Sequence, residues 1–327
     1  MSGPAALISL IVPCFNEERN IPSLYERLLE VMEPINLAFE IILINDGSTD
    51  QTLTIVQNLH QKDKRVRYAS FSRNFGHEAA SSCGFELAKG DAAILLDADL
   101  QDPPELIPEM IRRWHNGAQM VYGRRLSREG EGIRKRASSY LFYRLLNRLS
   151  DTQIPADVGD FRLVDRVVID HFNALPERNR FVRGMFSWVG FRQEEIPFTR
   201  EQRHQGDSKY NWFKLFLLAF DAITSFSVSP LRICSLVGLM VTMASFAAAI
   251  TVSLQKLLWG MAIPGYAFAT AGMFLLGGVQ LLFLGMIGEY IGKIYTQVQG
   301  RPLFIVDETE STTSARMSKT QDSLPHE

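Results

Sequence analysis

The stretch DAAILLDADLQDPP, Asp91 to Pro104, runs from an apolar segment straight into the carboxylates Asp97, Asp99 and Asp102. A segment that is apolar throughout, rather than alternating, suits a strand covered on both faces of a parallel sheet. Carboxylates crowding the end of such a strand imply a cationic neighbour, because an unpaired negative charge near a low-dielectric interior is strongly disfavoured. Three runs of the same kind come earlier, LISLIV (7–12), FEIILI (39–44) and VRYASF (66–71), separated by helix-length stretches. This alternation reads as βαβ units.

In such sheets ligands bind beyond the carboxyl ends of the strands. The residues there are polar: Pro13-Cys14-Phe15-Asn16-Glu17-Glu18, Asn45-Asp46-Gly47-Ser48-Thr49-Asp50, Ser72-Arg73-Asn74-Phe75-Gly76 and Asp97-Ala98-Asp99. Taken singly each is a turn or a cap, and Ser48, Thr49 and Asp50 are ordinary N-cap residues. Together on one edge they make a candidate site. Asp97 and Asp99 are expected to alternate along an extended segment and flank a hard cation, Mg2+ or Mn2+, whose other positions stay open to phosphate. An EF-hand is a poor alternative, since the sixth position from Asp97 is Asp102 rather than Gly and no Glu stands at the twelfth. A purely structural pair, capping a helix over Pro103–Trp114, is the bland reading.

The chain has 327 residues, 46% of them hydrophobic, which excludes a disordered chain. Thirty-four Lys plus Arg against 36 Asp plus Glu leave a formal charge of −2 and no sign of a nucleic-acid partner. Cys14, Cys83 and Cys234 are far apart, with neither disulfide nor zinc spacing, as in a reducing cytosol. The N-terminal residues carry no basic region followed by a long apolar stretch, so no cleaved signal peptide is expected.

Ile233–Leu254 and Gly265–Gly288 lack Asp, Glu, Lys and Arg and exceed the roughly 20 residues that span a bilayer. With Gly272, Gly277 and Gly278 as small packing residues, they read as a membrane hairpin. Arg232 before the first, Lys293 and Arg301 after the second, and only Lys256 in the link predict cytoplasmic ends. From about Asp307 the chain is expected to lack structure. Between Arg112 and Arg148 there are ten Lys or Arg and only Glu129 and Glu131 as acids, so a basic stretch containing Tyr140, Leu141 and Phe142 could lie at a headgroup surface.

The segments IVPCFNEERNI, INDGSTD, SRNFGHEAA, LDADLQDPPE, VGDFRL and GDSKY occur in the order found in the family 2 inverting glycosyltransferases of GT-A fold. With the two apolar helices and GEYIGKIY, the chain resembles their polyprenyl-phosphate branch, which holds bactoprenol glucosyltransferases and dolichol-phosphate mannose synthases. LQDPPE, VGDFRL and MFSWVG make it most similar to the bactoprenol glucosyltransferase type. The resemblance covers roughly residues 7 to 303.

The resemblance implies an α/β GT-A (Rossmann-like) nucleotide-sugar domain over 1–210, a juxtamembrane amphipathic segment over 211–230, two transmembrane helices within 231–296 and a cytosolic tail over 297–327. Pro13, Asn16, Glu17 and Asp46 would hold the nucleotide of the sugar donor, and Asp97, Asp99 and Gln101 a Mg2+ or Mn2+ on its diphosphate. Arg203 and Lys209 would close over that diphosphate. Arg125, Arg134 and Arg136 would bind the acceptor phosphate, and Asp160 is the catalytic candidate. A lipid phosphate has its second pKa at roughly 6, so Asp160 would position the acceptor more than take a proton. The implied reaction moves glucose from UDP-glucose to undecaprenyl phosphate at the cytoplasmic face of the inner cell membrane. Another donor such as GDP-mannose, a non-catalytic nucleotide-binding subunit and a small transporter stay as alternatives, and the oligomeric state, a homo-oligomer included, stays open.

Overall fold

The computed structural model describes residues 6–126, 158–198, 229–259 and 265–310. These fall into two units: residues 6–126, 158–198 and 301–310 form the first, and 229–259 with 265–300 the second.

The first unit is built on an eight-stranded sheet. The apolar runs become β1 (Leu7–Cys14), β2 (Ala38–Asn45), β3 (Val66–Phe71) and β4 (Ala92–Leu95), all parallel, with β1 between β2 and β4. Their β-branched residues are buried from both sides, Ile8, Ile11, Val12, Ile41, Ile42 and Ile44 among them. The crossovers carry α1 (Ile21–Met32), α2 (Thr52–Lys62) and α3 (His77–Leu87). Ile21, Leu24, Leu28 and Met32 form the buried stripe of α1 at helical spacing. Gly84 lets α3 lie against β1, where a Cβ would collide with Ile11 Cγ2.

Past β4 the chain enters α4 (Ile107–His115), β5 (Met120–Arg125), β6 (Val158–Asp165), α5 (Arg166–Ala174), α6 (Val182–Val189) and β7 (Gln193–Phe198). β6 is antiparallel to β4 and to β5, and β7 runs parallel to β5. The full order is β7-β5-β6-β4-β1-β2-β3 with a last strand, β8 (Val306–Thr309), antiparallel on the β3 edge. The strand order reverses between β1 and β4, and crevices at such switch points are where open α/β sheets hold ligands.

Two expectations are corrected. The residues after β4 are not extended: Ala98 and Asp99 lie in a turn and Leu100 has φ +60, a left-handed conformation that curls the chain back. The tail is not structureless from Asp307, because an unpaired β3 edge accepts it as β8.

The second unit consists of α7 (Ser229–Trp259) and α8 (Tyr266–Gln299), both longer than the apolar runs that predict them. Ser229–Ala248 and Leu275–Gln299, with mean hydropathy of 1.8 and 1.5, are long and apolar enough to cross a membrane. Leu236, Leu239, Met243, Phe246, Leu281 and Leu282 are exposed along them. Cys234 Sγ meets Met286 Sδ at 3.2 Å between the two helices.

Candidate active site

The loops after β1 and β2 are laced together. Asn16, at φ +57, donates its backbone N–H to Ser48 Oγ at 3.0 Å and accepts from the Thr49 N–H at 2.9 Å through Oδ1. Glu17 N–H donates to Thr52 Oγ1 at 2.9 Å and Glu18 N–H to Asp50 Oδ2 at 3.2 Å. Ser48 and Asp50 thus join two loops besides acting locally, where Asp50 Oδ1 accepts from the Thr52 N–H. Asp46 accepts from the Phe75 and Gly76 N–H groups at 2.7 and 2.9 Å, which brings in the loop after β3. Burial raises its pKa, and those two bonds with the charges of His77 and Arg73 reverse only part of the rise. Gly47 is required here: it sits at φ +63 and a Cβ would collide with the Arg73 backbone.

Asp97 and Asp160 meet through sheet register. β4 and β6 pair antiparallel as far as Leu95 and Arg162; Asp160 lies in β6 two residues before Arg162 and Asp97 follows Leu95 by two, and a carboxylate oxygen of each comes within 4.8 Å of the other. His77, the first residue of α3, completes the group: its Nε2 lies 3.5 Å from Asp160 Oδ2 and 3.7 Å from Asp97 Oδ1. Burial by itself would lower the imidazole pKa, but the bond to Asp160 and the charges of Asp97, Asp160 and Glu78 push it up to about 9.

The Asp160 carboxylate is buried and gripped by Arg183 of α6, with Nε on Oδ1 at 2.7 Å and a terminal nitrogen on Oδ2 at 2.6 Å. Burial favours the neutral acid, yet the Arg183 fork and the His77 bond hold this carboxyl far below the usual carboxylate range. Arg162, also buried, caps the Gly159 and Asp160 carbonyls and lies over the Phe186 ring at 5.2 Å. Burial drops its pKa to about 10. Glu78, beside His77, accepts from the Val182 N–H at 2.8 Å and so ties the start of α6 to the start of α3. Burial and the Asp160 charge raise its pKa.

Of the expected site residues, Asn16, Glu17 and Asp46 are brought into one laced set of loops, and Pro13 stands one residue before the end of β1, beside Ile44 of β2. Among the described residues the metal-ligand group is His77, Asp97 and Asp160, with one donor atom of each within 4.8 Å of the others. Asp99 instead accepts from the Gln101 N–H at 3.2 Å, and Gln101 is buried. Arg125 ends β5, in register with Phe198. Arg134, Arg136, Arg203 and Lys209 lie outside the described residues. Sequence reasoning passed over His77, Glu78 and Arg183. His77 and Glu78 open α3 within the segment SRNFGHEAA and Arg183 stands just before MFSWVG, but nothing in their spacing announces Asp160.

An imidazole and two carboxylates suit a divalent cation with intermediate-to-hard preferences, provided His77 sheds its proton. The arrangement offers a cation site, one of whose carboxylates stays ionised, past the carboxyl end of β4.

Residues 9–172 match Glycosyl transferase family 2. The chain belongs to that family. An uncharacterized glycosyltransferase of Synechocystis is 44% identical over 301 residues, covering 92% of this chain and 95% of that one. The bactoprenol glucosyl transferase of Shigella phage SfV is 44% identical over 299 residues, covering 91% and 97%. This glycosyltransferase also shares a partial likeness with the solved glucosyl-3-phosphoglycerate synthase of Mycobacterium tuberculosis, at 18% identity and TM-score 0.48 over 67% of this chain and 76% of that one. That likeness is too partial to bear on the site. The α/β sheet of this glycosyltransferase is the GT-A arrangement its loop motifs imply.

Proposed function

We propose that the protein transfers glucose from UDP-glucose to undecaprenyl phosphate with inversion, at the cytoplasmic face of the cell membrane. The observation that carries this reading is the meeting of Asp97, past the end of β4, and Asp160 of the neighbouring β6, with His77 Nε2 within 3.7 Å of both. The name of the SfV phage relative, bactoprenol glucosyl transferase, supports the sugar and the acceptor. The two apolar helices support a membrane setting.

In this reading Asn16, Glu17 and Asp46 hold the nucleotide, with Pro13 shaping the end of β1. Arg203 and Lys209 close on the diphosphate and Arg125, Arg134 and Arg136 receive the acceptor phosphate. Asp97, with His77, Asp160 and the nearby Asp99 and Gln101, holds Mg2+ or Mn2+. When bound, that ion neutralises the negative charge growing on the departing diphosphate. Asp160, kept ionised by Arg183, is a poor proton acceptor and acts by charge and position. An acceptor phosphate that already carries negative charge at pH 7 needs little deprotonation.

The test is transfer by the purified full-length protein in lipid, with a panel of radiolabelled nucleotide-sugars and with undecaprenyl phosphate or a neutral oligosaccharide as acceptor. The expected product is an undecaprenyl-phosphate glucose of inverted anomeric configuration. Transfer to the neutral acceptor at the same rate, or a clear preference for GDP-mannose, overturns the assignment.

A further inference from the structure

We propose that Phe304 and Ile305, which follow the second apolar helix in the chain, are positioning residues for the donor nucleotide and act through the loop Ser72–Gly76. The proposal rests on the reading that Asp46 holds that nucleotide.

The contacts run in an unbroken line. The Phe304 ring stacks on Phe71 at 4.9 Å and an interplanar angle of 9°, and Phe71 meets Phe75 edge to face at 5.8 Å. The Arg73 guanidinium covers Phe75 at 3.9 Å. The Ile305 carbonyl accepts from the Ser72 N–H at 3.0 Å, at the first residue of the loop. The same loop supplies the Phe75 and Gly76 N–H groups that hold both oxygens of Asp46. Phe304 is therefore two ring contacts away from the residue whose backbone grips Asp46.

The segment is firmly attached. β8 pairs with β3 from Ala69 to Phe71, with a register shift between Ser70 and Phe71. Glu308 accepts from Gln57 at 2.6 Å and from the Tyr68 hydroxyl at 3.0 Å. Glu310 accepts from Arg67 at 3.0 Å and from the Tyr68 N–H at 3.2 Å. These bonds concentrate on β3, the strand whose carboxyl end becomes the donor loop. That loop turns through Gly76 at φ +99 and has glycine's freedom to adopt other conformations. An aromatic stack and a main-chain bond at its start restrict that freedom. The segment lies beyond residues 9–172, over which the chain matches its family.

The test uses the full-length protein in lipid and compares Phe304→Ala, Phe304→Leu, Phe304→Tyr and, as a reference for the nucleotide site, Asp46→Asn. Two quantities are read: hydrogen exchange of peptides covering Phe75 and Gly76, and the donor KM and kcat for UDP-glucose. Loss of the ring is expected to speed exchange of those amides and to raise donor KM by about three- to tenfold, the size of one aromatic contact, with kcat nearly unchanged. Phe304→Tyr, which keeps the ring, should restore both, and Phe304→Leu should fall between if the alanine variant folds poorly. Unchanged exchange in Phe304→Ala and Phe304→Leu overturns the brace. Faster exchange with wild-type donor KM overturns donor positioning, provided Asp46→Asn raises that KM. If Asp46→Asn leaves it unchanged too, the assignment of Asp46 to the nucleotide fails, and the proposal falls with it.

Discussion

Arg183 and Asp160 form a two-pronged ion pair at 2.7 and 2.6 Å in which the carboxylate is buried and the guanidinium remains partly open to solvent. The pair keeps Asp160 ionised beside Asp97, so its value to the reaction is orientation and charge. Arg183→Ala is expected to lower kcat/KM by about ten- to a hundredfold, the worth of a charged hydrogen bond at 1.5–3 kcal/mol. Arg183→Lys should recover little, because a single ammonium cannot reproduce the planar fork. Wild-type turnover in Arg183→Lys would show that the fork geometry is irrelevant.

The His77, Asp97 and Asp160 group predicts dependence on a divalent cation. Excess EDTA should abolish transfer. Asp97→Asn and His77→Ala should each weaken Mn2+ binding, followed by its paramagnetic resonance signal, by about tenfold or more through loss of a ligand. Asp99→Ala should remove nearly all transfer while the protein stays folded and bound to membranes. Full activity in chelator contradicts the whole set.

Glu40 is a buried carboxylate of the first unit. It accepts from Ser9 Oγ at 2.6 Å, the Lys89 N–H at 2.8 Å and Arg67 at 2.9 Å. Burial raises its pKa, but these bonds outweigh burial and leave it below the ordinary glutamate value. A lowered folded pKa contributes stability above the unfolded value of about 4.3, and that contribution is lost as pH falls through the folded pKa. Glu40→Gln should therefore destabilise the protein by about 2 kcal/mol at pH 7. The gap between the thermal denaturation midpoints of the two proteins should narrow as pH falls below about 4.3 and close once pH is below the folded pKa. A gap that widens in acid would refute the pairing.

Arg232, Lys293 and Arg301 flank the apolar helices, with Lys256 alone toward the link. Reporter fusions at the C-terminus should be active only in the cytosol, and a tag inserted between Trp259 and Gly265 should react only from outside. An externally active C-terminal fusion would invert this topology. It would also remove the donor from reach.

Short-range physics makes much of this protein readable along the chain. The runs at 7–12, 39–44, 66–71 and 91–96 are strands because continuous β-branched and aliphatic stretches need cover on both faces, and the polar residues after them gather because parallel strands end on one edge. The long apolar helices are legible from length and lack of charge alone. The laced Asn16, Ser48 and Thr49 loops were also within reach as a gathering of polar turns. What the tertiary structure decided is every contact whose partners lie far apart in sequence. Asp160 comes near Asp97 because β6 pairs antiparallel with β4 in one particular register, and a slip of one residue would turn its side chain to the other face. Arg183 reaches Asp160 from α6, whose start Glu78 ties to α3, and Val306–Thr309 becomes a strand because the β3 edge is open to it. Those pairings are selected by the burial and hydrogen bonding of the assembled sheet, energies that no local stretch of the chain contains.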